Sequence, residues 1–196
     1  MIIRPGRPED IPLLIRFRHE ASAWLGERGI DQWSEPWPTA DEMAESMLRD
    51  IQARQTYVLW EDEDSAAATL TIGRWADPDL WTAAEAGEPA AYLHKLIVAR
   101  LHATQGLGVE LIDWAATQAA QANLDWLRLD AWTTNRQLQQ YYRDQGFRHV
   151  RTTELVHNQS GALFERRSEV VATPRIRSMS AAQALAAGPR PNCTSD

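Results

Sequence analysis

The sequence predicts a mixed α/β (α+β) domain, and three observations carry that prediction. Short β-branched runs alternate with segments of helical hydrophobic period along most of the chain. At the centre, the apolar run Ala91-Tyr-Leu-His-Lys-Leu-Ile-Val98 leads through the glycine turn Gln105-Gly-Leu-Gly108 into the helix-period stretch Val109-Glu-Leu-Ile-Asp-Trp-Ala-Ala116. That succession is a strand, a backbone-lined loop and a helix N-terminus. Finally, 196 residues at 44% hydrophobic content fill one core and leave little for a second.

Taken from the N-terminus, Ile2 to Pro5 is a short edge strand that proline stops. Pro8-Glu-Asp opens a helix with acids in its first turn, and Ile11, Leu14, Ile15, Arg18, Ala21 and Leu25 follow at helical spacing until Gly29. Ile30 to Pro38 holds two prolines and two tryptophans without a period, which predicts an ordered loop lid. Thr39 and Glu42 form a capping box for a second helix with Met43, Met47 and Ile51 as its buried stripe. Thr56-Tyr-Val-Leu-Trp60 and Ala66 to Trp75 make a hairpin around the acidic turn Glu61 to Ser65. Ala76 to Ala90 is a loop.

After the glycines, Leu107, Leu111, Trp114, Ala115, Gln118 and Ala122 give the helix an apolar face to lay on a sheet. Asp125 to Asp130 is the next strand, Asn135 to Gln145 a helix closed by Gly146, and Phe147 begins a strand running to about Thr153. Leu155 to His157 and Leu163 to Glu165, around Asn158 to Gly161, make the last hairpin. From Ser168 the composition shifts to Ala, Ser, Pro and Arg. The chain therefore divides into one domain over 1–167 and a flexible or partner-docking tail over 168–196, where Ser180 to Ala187 could form a short helix.

Charge and cysteine narrow the function. Lys+Arg of 20 against Asp+Glu of 27 gives a net charge of -7, which disfavours nucleic acid and anionic membranes and suits an amine-bearing partner. The single cysteine, Cys193, excludes an internal disulfide and a cysteine metal site, and no metal is expected. No apolar stretch approaches about 18 residues and the N-terminus lacks a signal-peptide core, so a cytoplasmic location is expected.

Gly106 and Gly108 let main-chain N–H groups approach an anion, and the following helix adds orphan donors and a positive dipole end. A dinucleotide fingerprint would need glycine where Leu111 stands, and the Gly-Lys-Ser/Thr of a P-loop is absent.

Two motifs together carry a resemblance. Leu96-Ile-Val98 followed by Gln105-Gly-Leu-Gly108 looks like the acyl-CoA motif Arg/Gln-x-x-Gly-x-Gly/Ala of the GNAT superfamily of CoA-dependent N-acyltransferases, and Asn135…Tyr142-Arg-Asp-Gln-Gly146-Phe147 resembles its Asn…Tyr-x-x-x-Gly-Phe pattern. The resemblance covers about residues 2–166 in element order. It implies the GNAT fold, a central mixed, mostly antiparallel twisted sheet of about six to seven strands flanked by about four helices. It implies acetyl-CoA as cosubstrate, held by Leu96, Ile97 and Val98 along the strand, by Ala103, Thr104, Gln105, Gly106, Leu107, Gly108 and Val109 around the loop, and by Asn135 and Tyr142. Ala103 departs from the motif's Arg or Gln, which leaves the diphosphate to backbone groups, with Arg100 or Gln105 as helpers.

Acetyl transfer from a thioester to an amine needs a neutral amine, although alkylammonium groups have a pKa of about 10. It also needs a donor for the developing oxyanion and a proton for the leaving thiolate. By resemblance, a main-chain N–H within Leu96 to Val98 polarises the carbonyl and Tyr142 is the general acid; Tyr141 is packing. His94 is the candidate base, or else a surface or core histidine; on a regular strand, Lys95 would face the other way. Glu35 and Asp31 could meet a cationic amine from the lid, and Trp33, Trp37 and Trp81 could wall the acceptor pocket or staple loops to the core. His102 meets a phosphate or solvent.

The resulting expectation is an acetyltransferase that acetylates a primary amine of a small molecule by direct attack. Alternatives are a non-catalytic acyl-CoA-binding regulatory domain, or an enzyme acting on aminoacyl-tRNA or protein N-termini. The resemblance also allows a homodimer.

Overall fold

The computed structural model describes residues 1–34, 39–154 and 159–178. Glu35 and Trp37, the expected strand 155–157 and the tail beyond 178 lie outside the described residues. Among the described residues, eight strands form one sheet in the order β6-β7-β5-β4-β3-β2-β1-β8. They are β1 (Ile2–Pro5), β2 (Thr56–Trp60), β3 (Ala66–Gly73), β4 (Ala90–Val98), β5 (Trp126–Ala131), β6 (Arg148–Thr152), β7 (Ala162–Arg167) and β8 (Arg177–Ser178). Only β4 with β5 and β1 with β8 run parallel. The helices are α1 (Ile11–Gly26), α2 (Ala40–Gln52), a single turn α3 (Ala83–Ala86), α4 (Leu107–Gln121) and α5 (Arg136–Asp144).

Alternation along the strands divides the core between two faces. Tyr57, Leu59, Leu70, Ile72, Leu93 and Leu129 meet Leu107, Leu111, Ile112 and Ala115 of α4 and Tyr142 of α5 on one face. On the other, Val58 packs with Leu14 of α1 and Met47 and Ile51 of α2. Each such fully buried Leu or Ile contributes roughly 1.5–3 kcal/mol. The capping box at α2 forms as read: the Glu42 N–H donates to Thr39 Oγ1 (3.3 Å) and the Thr39 N–H to Glu42 Oε2 (2.8 Å). Gly146, at φ 79°, turns the chain out of α5.

Several expectations change. The strand β1 is not an edge, because β8 pairs with Ile2 and Ile3. Among the described residues, β7 pairs antiparallel with β6. The loop 76–90 contains α3, which Thr82 and Glu85 cap with a second Thr-x-x-Glu box. The start of the expected tail also lies back on the body. Thr117 Oγ1 receives the Val171 N–H (2.9 Å) and donates to its carbonyl (3.2 Å), Ser178 Oγ accepts from the Trp114 indole (2.8 Å), and Ile176 is buried.

Candidate active site

The site begins with a failure of pairing. Strand β5 pairs with β4 only from Ala90 to Tyr92, opposite Trp126 to Arg128, although β4 continues along β3 to Val98. Between Thr69 and Thr71 the β3–β4 register shifts, so Lys95 and Leu96 stand opposite one residue of β3, and Lys95 takes φ 51°. That is a β-bulge, which bends its strand and breaks the alternation of side chains. The edge of β4 beyond Tyr92 is thereby left without a neighbouring strand, beside a cavity of about 1300 Å³ bordered by Leu96, Ile97, Val98, Asn135, Tyr141 and Tyr142.

The bulge also corrects the expected orientation of Lys95. His94 and Lys95 both border the cavity, and Lys95 Nζ donates to Asp50 Oδ2 (2.7 Å) and Ser46 Oγ (3.1 Å) of α2. Burial, then the charges of Arg49 and Arg18, lower the Lys95 pKa to about 8, against the pull of the Asp50 carboxylate.

His94 Nδ1 faces Asp130 Oδ1 at 3.4 Å. Asp130, at the end of β5, had no place in the sequence-based acid–base set. The parallel register that pairs Ala90 with Trp126 carries on to set His94 level with Asp130, so the strand offset was the signal for it. Asp77 joins them at the cavity wall, its pKa raised by burial and by the nearby Asp79 and Asp130 charges.

Tyr142 is 8% exposed and borders the same cavity, its ring edge-on to Phe147 at 5.7 Å. Among the described residues its hydroxyl has no hydrogen-bond partner. Burial, with Tyr141 and Asp130 nearby, raises its pKa well above the usual phenol value, so the group stays protonated.

The glycine loop is a cradle of amides. Thr104 (φ 65°) and Gly106 (φ 77°) are left-handed, and the N–H groups of Thr104, Gln105, Gly106, Leu107 and Gly108 bond to no described residue. The Val109 N–H, by contrast, is spent on the Gly106 carbonyl (3.1 Å). Consecutive free amides at a helix start fit a diphosphate, and the bare edge of β4 fits the amides of a pantetheine arm. Of the expected helpers, Gln105 Nε2 bonds to the Leu101 carbonyl (3.1 Å) and Arg100 stacks on Trp24 at 4.1 Å. His102 does not face open solvent: it is buried with Nε2 toward Glu61 Oε2 at 3.7 Å. The cation that does reach the loop is Arg175, bonded to the Gln105 carbonyl (2.9 Å) and paired with Glu110.

The remaining candidates divide. Asn135 caps α5 by accepting from the Leu138 N–H (3.0 Å) and donates to Gln32 Oε1 (2.7 Å). Asp31 accepts from Trp132 Nε1 (3.0 Å) and Thr134 Oγ1, so it fastens the chain after α1 to the β5–α5 loop. Trp33 borders the cavity with Arg18 stacked on its ring at 3.9 Å. Trp81, 3% exposed, packs edge-on to Tyr92 at 5.6 Å while bordering the cavity.

Residues 21–147 match the Acetyltransferase (GNAT) family. The chain belongs to the GNAT family. Its relatives include the uncharacterized N-acetyltransferase YesJ of Bacillus subtilis (strain 168), 30% identical over 146 residues that cover 73% of this chain and 79% of YesJ. Among solved structures, a GNAT acetyltransferase from Listeria monocytogenes 4b F2365 superposes with a TM-score of 0.69 at 22% identity, covering 84% of this chain and 93% of that one. The ribosomal-protein-alanine N-acetyltransferase of Brucella melitensis gives 0.61 at 17% identity over 85% and 99%. GNAT enzymes use acetyl-CoA as cosubstrate, and this GNAT chain is an acetyltransferase of that kind. No helix among the described residues is long and apolar enough to cross a membrane.

Proposed function

We propose that this GNAT enzyme acetylates a primary amine of a small molecule, with His94 as base, Asp130 orienting it and Tyr142 as general acid. Acetyl-CoA supplies the acetyl group as a thioester. The free amides from Thr104 to Gly108 hold its diphosphate, and the bare β4 edge at Leu96 to Val98 takes its pantetheine arm and offers an N–H to the acetyl carbonyl.

The observation that carries the reading is the meeting of the His94–Asp130 pair and the Tyr142 phenol at one cavity beside the unpaired strand. With Nδ1 turned toward the Asp130 carboxylate at 3.4 Å, His94 presents Nε2 as the atom that takes a proton from the incoming ammonium, directly or through water. Tyr142, kept protonated by burial, has a hydroxyl free to donate to the departing sulfur. Trp33 of the α1–α2 connection, Trp75 and Trp132 line the cavity, and this aromatic lining supports a small acceptor. The protein acceptor named for the Brucella enzyme belongs to that protein; at 17% identity the likeness concerns the fold.

The test is turnover of labelled acetyl-CoA with a panel of amines. Tyr142→Phe should cut kcat by about 10²–10⁴-fold while the KM for acetyl-CoA moves little. Turnover equal to wild type in Tyr142→Phe would remove the acid role, and CoA binding without turnover on any amine would remove the transfer reading.

A further inference from the structure

Arg18 is a cation without a counterion among the described residues. It projects from α1 to the cavity wall, its guanidinium 3.9 Å from the centre of the Trp33 ring. Among the described residues it makes no hydrogen bond and no ion pair. Burial lowers its pKa to about 10, which still leaves it charged at neutral pH. A partly desolvated guanidinium with its N–H donors unspent is costly unless something anionic meets it. The contact with the Trp33 ring, 3.9 Å from its centre, restrains the fork and reduces the entropy lost on binding.

The rest of the cavity has a matching polarity. Lys95, close enough for the Arg18 charge to depress its pKa, borders the same region and is already paired with Asp50. At the other pole Asp77 and Asp130 gather round His94, where the proposed reaction needs the amine. The bulge in β4 turns the consecutive residues His94 and Lys95 into one cavity, so an acidic pole and a basic pole adjoin. A polyamine would set a second ammonium against Arg18. An amine that carries its own anion satisfies both poles.

We propose that Arg18, held against Trp33, is the subsite for an anionic group of the acceptor, and that the acceptor is a zwitterion of amino-acid type, its amine at His94 and its carboxylate or equivalent oxyanion on the guanidinium. This rests on the acetyl-transfer reading for the identity of the bound amine, but not for the existence of an anion subsite.

Matched acceptors test it: phenylalanine against phenethylamine, lysine against cadaverine, 4-aminobutyrate against propylamine, with spermidine alongside. The carboxylated member should be preferred in kcat/KM by on the order of ten- to hundredfold. Arg18→Met should collapse that ratio toward one, and Arg18→Lys, which keeps the charge without the fork, should retain part of it. Binding is read separately by calorimetric titration of the same compounds into the CoA-saturated protein, wild type and both variants, with circular dichroism as the folding check. Should no amine be turned over, the transfer reading falls while the titration still decides the subsite. Amino acids that bind about tenfold more weakly to Arg18→Met support it. Equal binding by wild type and variant, no binding of any carboxylate, a preference for spermidine, or a carboxylate preference that survives in Arg18→Met overturns it.

Discussion

His94 Nδ1 and Asp130 Oδ1 lie 3.4 Å apart across the gap where β4 and β5 have ceased to pair. Two strands that share hydrogen bonds only over Ala90 to Tyr92 still hold a common register, and that register sets the imidazole level with the carboxylate. If the two side chains act as one unit, their losses do not add. His94→Ala should lower kcat/KM by about 10²–10⁴-fold and Asp130→Asn by roughly tenfold or more, while the double variant is no worse than His94→Ala alone. Steady-state kinetics on the three proteins decides; additive losses would mean that Asp130 acts on the amine independently.

Gly108 has a reason beyond its place in a CoA loop. A Cβ built there would sit 2.6 Å from the Tyr141 hydroxyl, well inside contact distance. Tyr141, expected only to pack, would thus have to shift its hydroxyl to admit the alanine that the GNAT motif otherwise allows at this position. Gly108→Ala should weaken acetyl-CoA binding roughly fivefold through displacement of the tyrosine or the loop. Tyr141→Phe, which removes the clashing oxygen, should restore most of it. Calorimetric titration with CoA reads both; a Gly108→Ala defect that persists in the Tyr141→Phe background would place its cause in the backbone instead.

Local chemistry was legible in the sequence and register was not. The Thr39–Glu42 box and the stripe Leu107, Leu111, Trp114, Ala115 depend on spacings of three and four residues within one helix, and both form as spaced. Tyr142 could be located because its motif fixes it four residues before Gly146, the turn just past one short helix. The Asp130 partnership, by contrast, depends on how two strands separated by α4 align. The turn of Lys95 into the cavity depends on a bulge that an unbroken apolar run does not announce. Arg175 was assigned to a tail on composition, yet buried Ile176 and the bond from Trp114 to Ser178 anchor that stretch to the body. A few specific contacts outweigh a disorder-like composition when a neighbouring surface is ready to receive them.

That anchoring matters at the glycine loop. Arg175 pairs with Glu110 in the first turn of α4 and bonds to the Gln105 carbonyl at 2.9 Å. Glu110 by itself would set a negative charge at the helix end that should receive a diphosphate. Arg175→Ala should therefore raise the KM for acetyl-CoA by roughly three- to fivefold with kcat little changed. If neutralising Glu110 is the reason, Glu110→Gln in the same chain should bring the KM back. If bracing of the Gln105 carbonyl is the reason, it should not. Measuring KM at two ionic strengths adds an independent reading, because the electrostatic part shrinks as salt rises.

Glu85 of α3 fastens the loop that carries Asp77 and Trp81. Its two carboxylate oxygens accept from Arg151 at 2.7 and 2.8 Å, and the Thr82 hydroxyl donates to it at 2.8 Å. The Arg151 hydrogen bonds, ahead of those from Thr82, hold its pKa at about 2 against 4.5 for an ordinary glutamate. The folded state therefore releases the proton more readily than the unfolded chain. The pair's contribution is fully present above about pH 4.5 and is lost as pH falls toward 2. Glu85→Gln should cost on the order of 1–2 kcal/mol at pH 7, since the pair is only partly buried. Urea denaturation at pH 7, 4 and 3 should show the gap between wild type and variant closing over that acid range. A gap that stays constant down to pH 3 would mean that the loop is held by the neutral contacts of Thr82 and that the Arg151 charge contributes nothing to its anchorage.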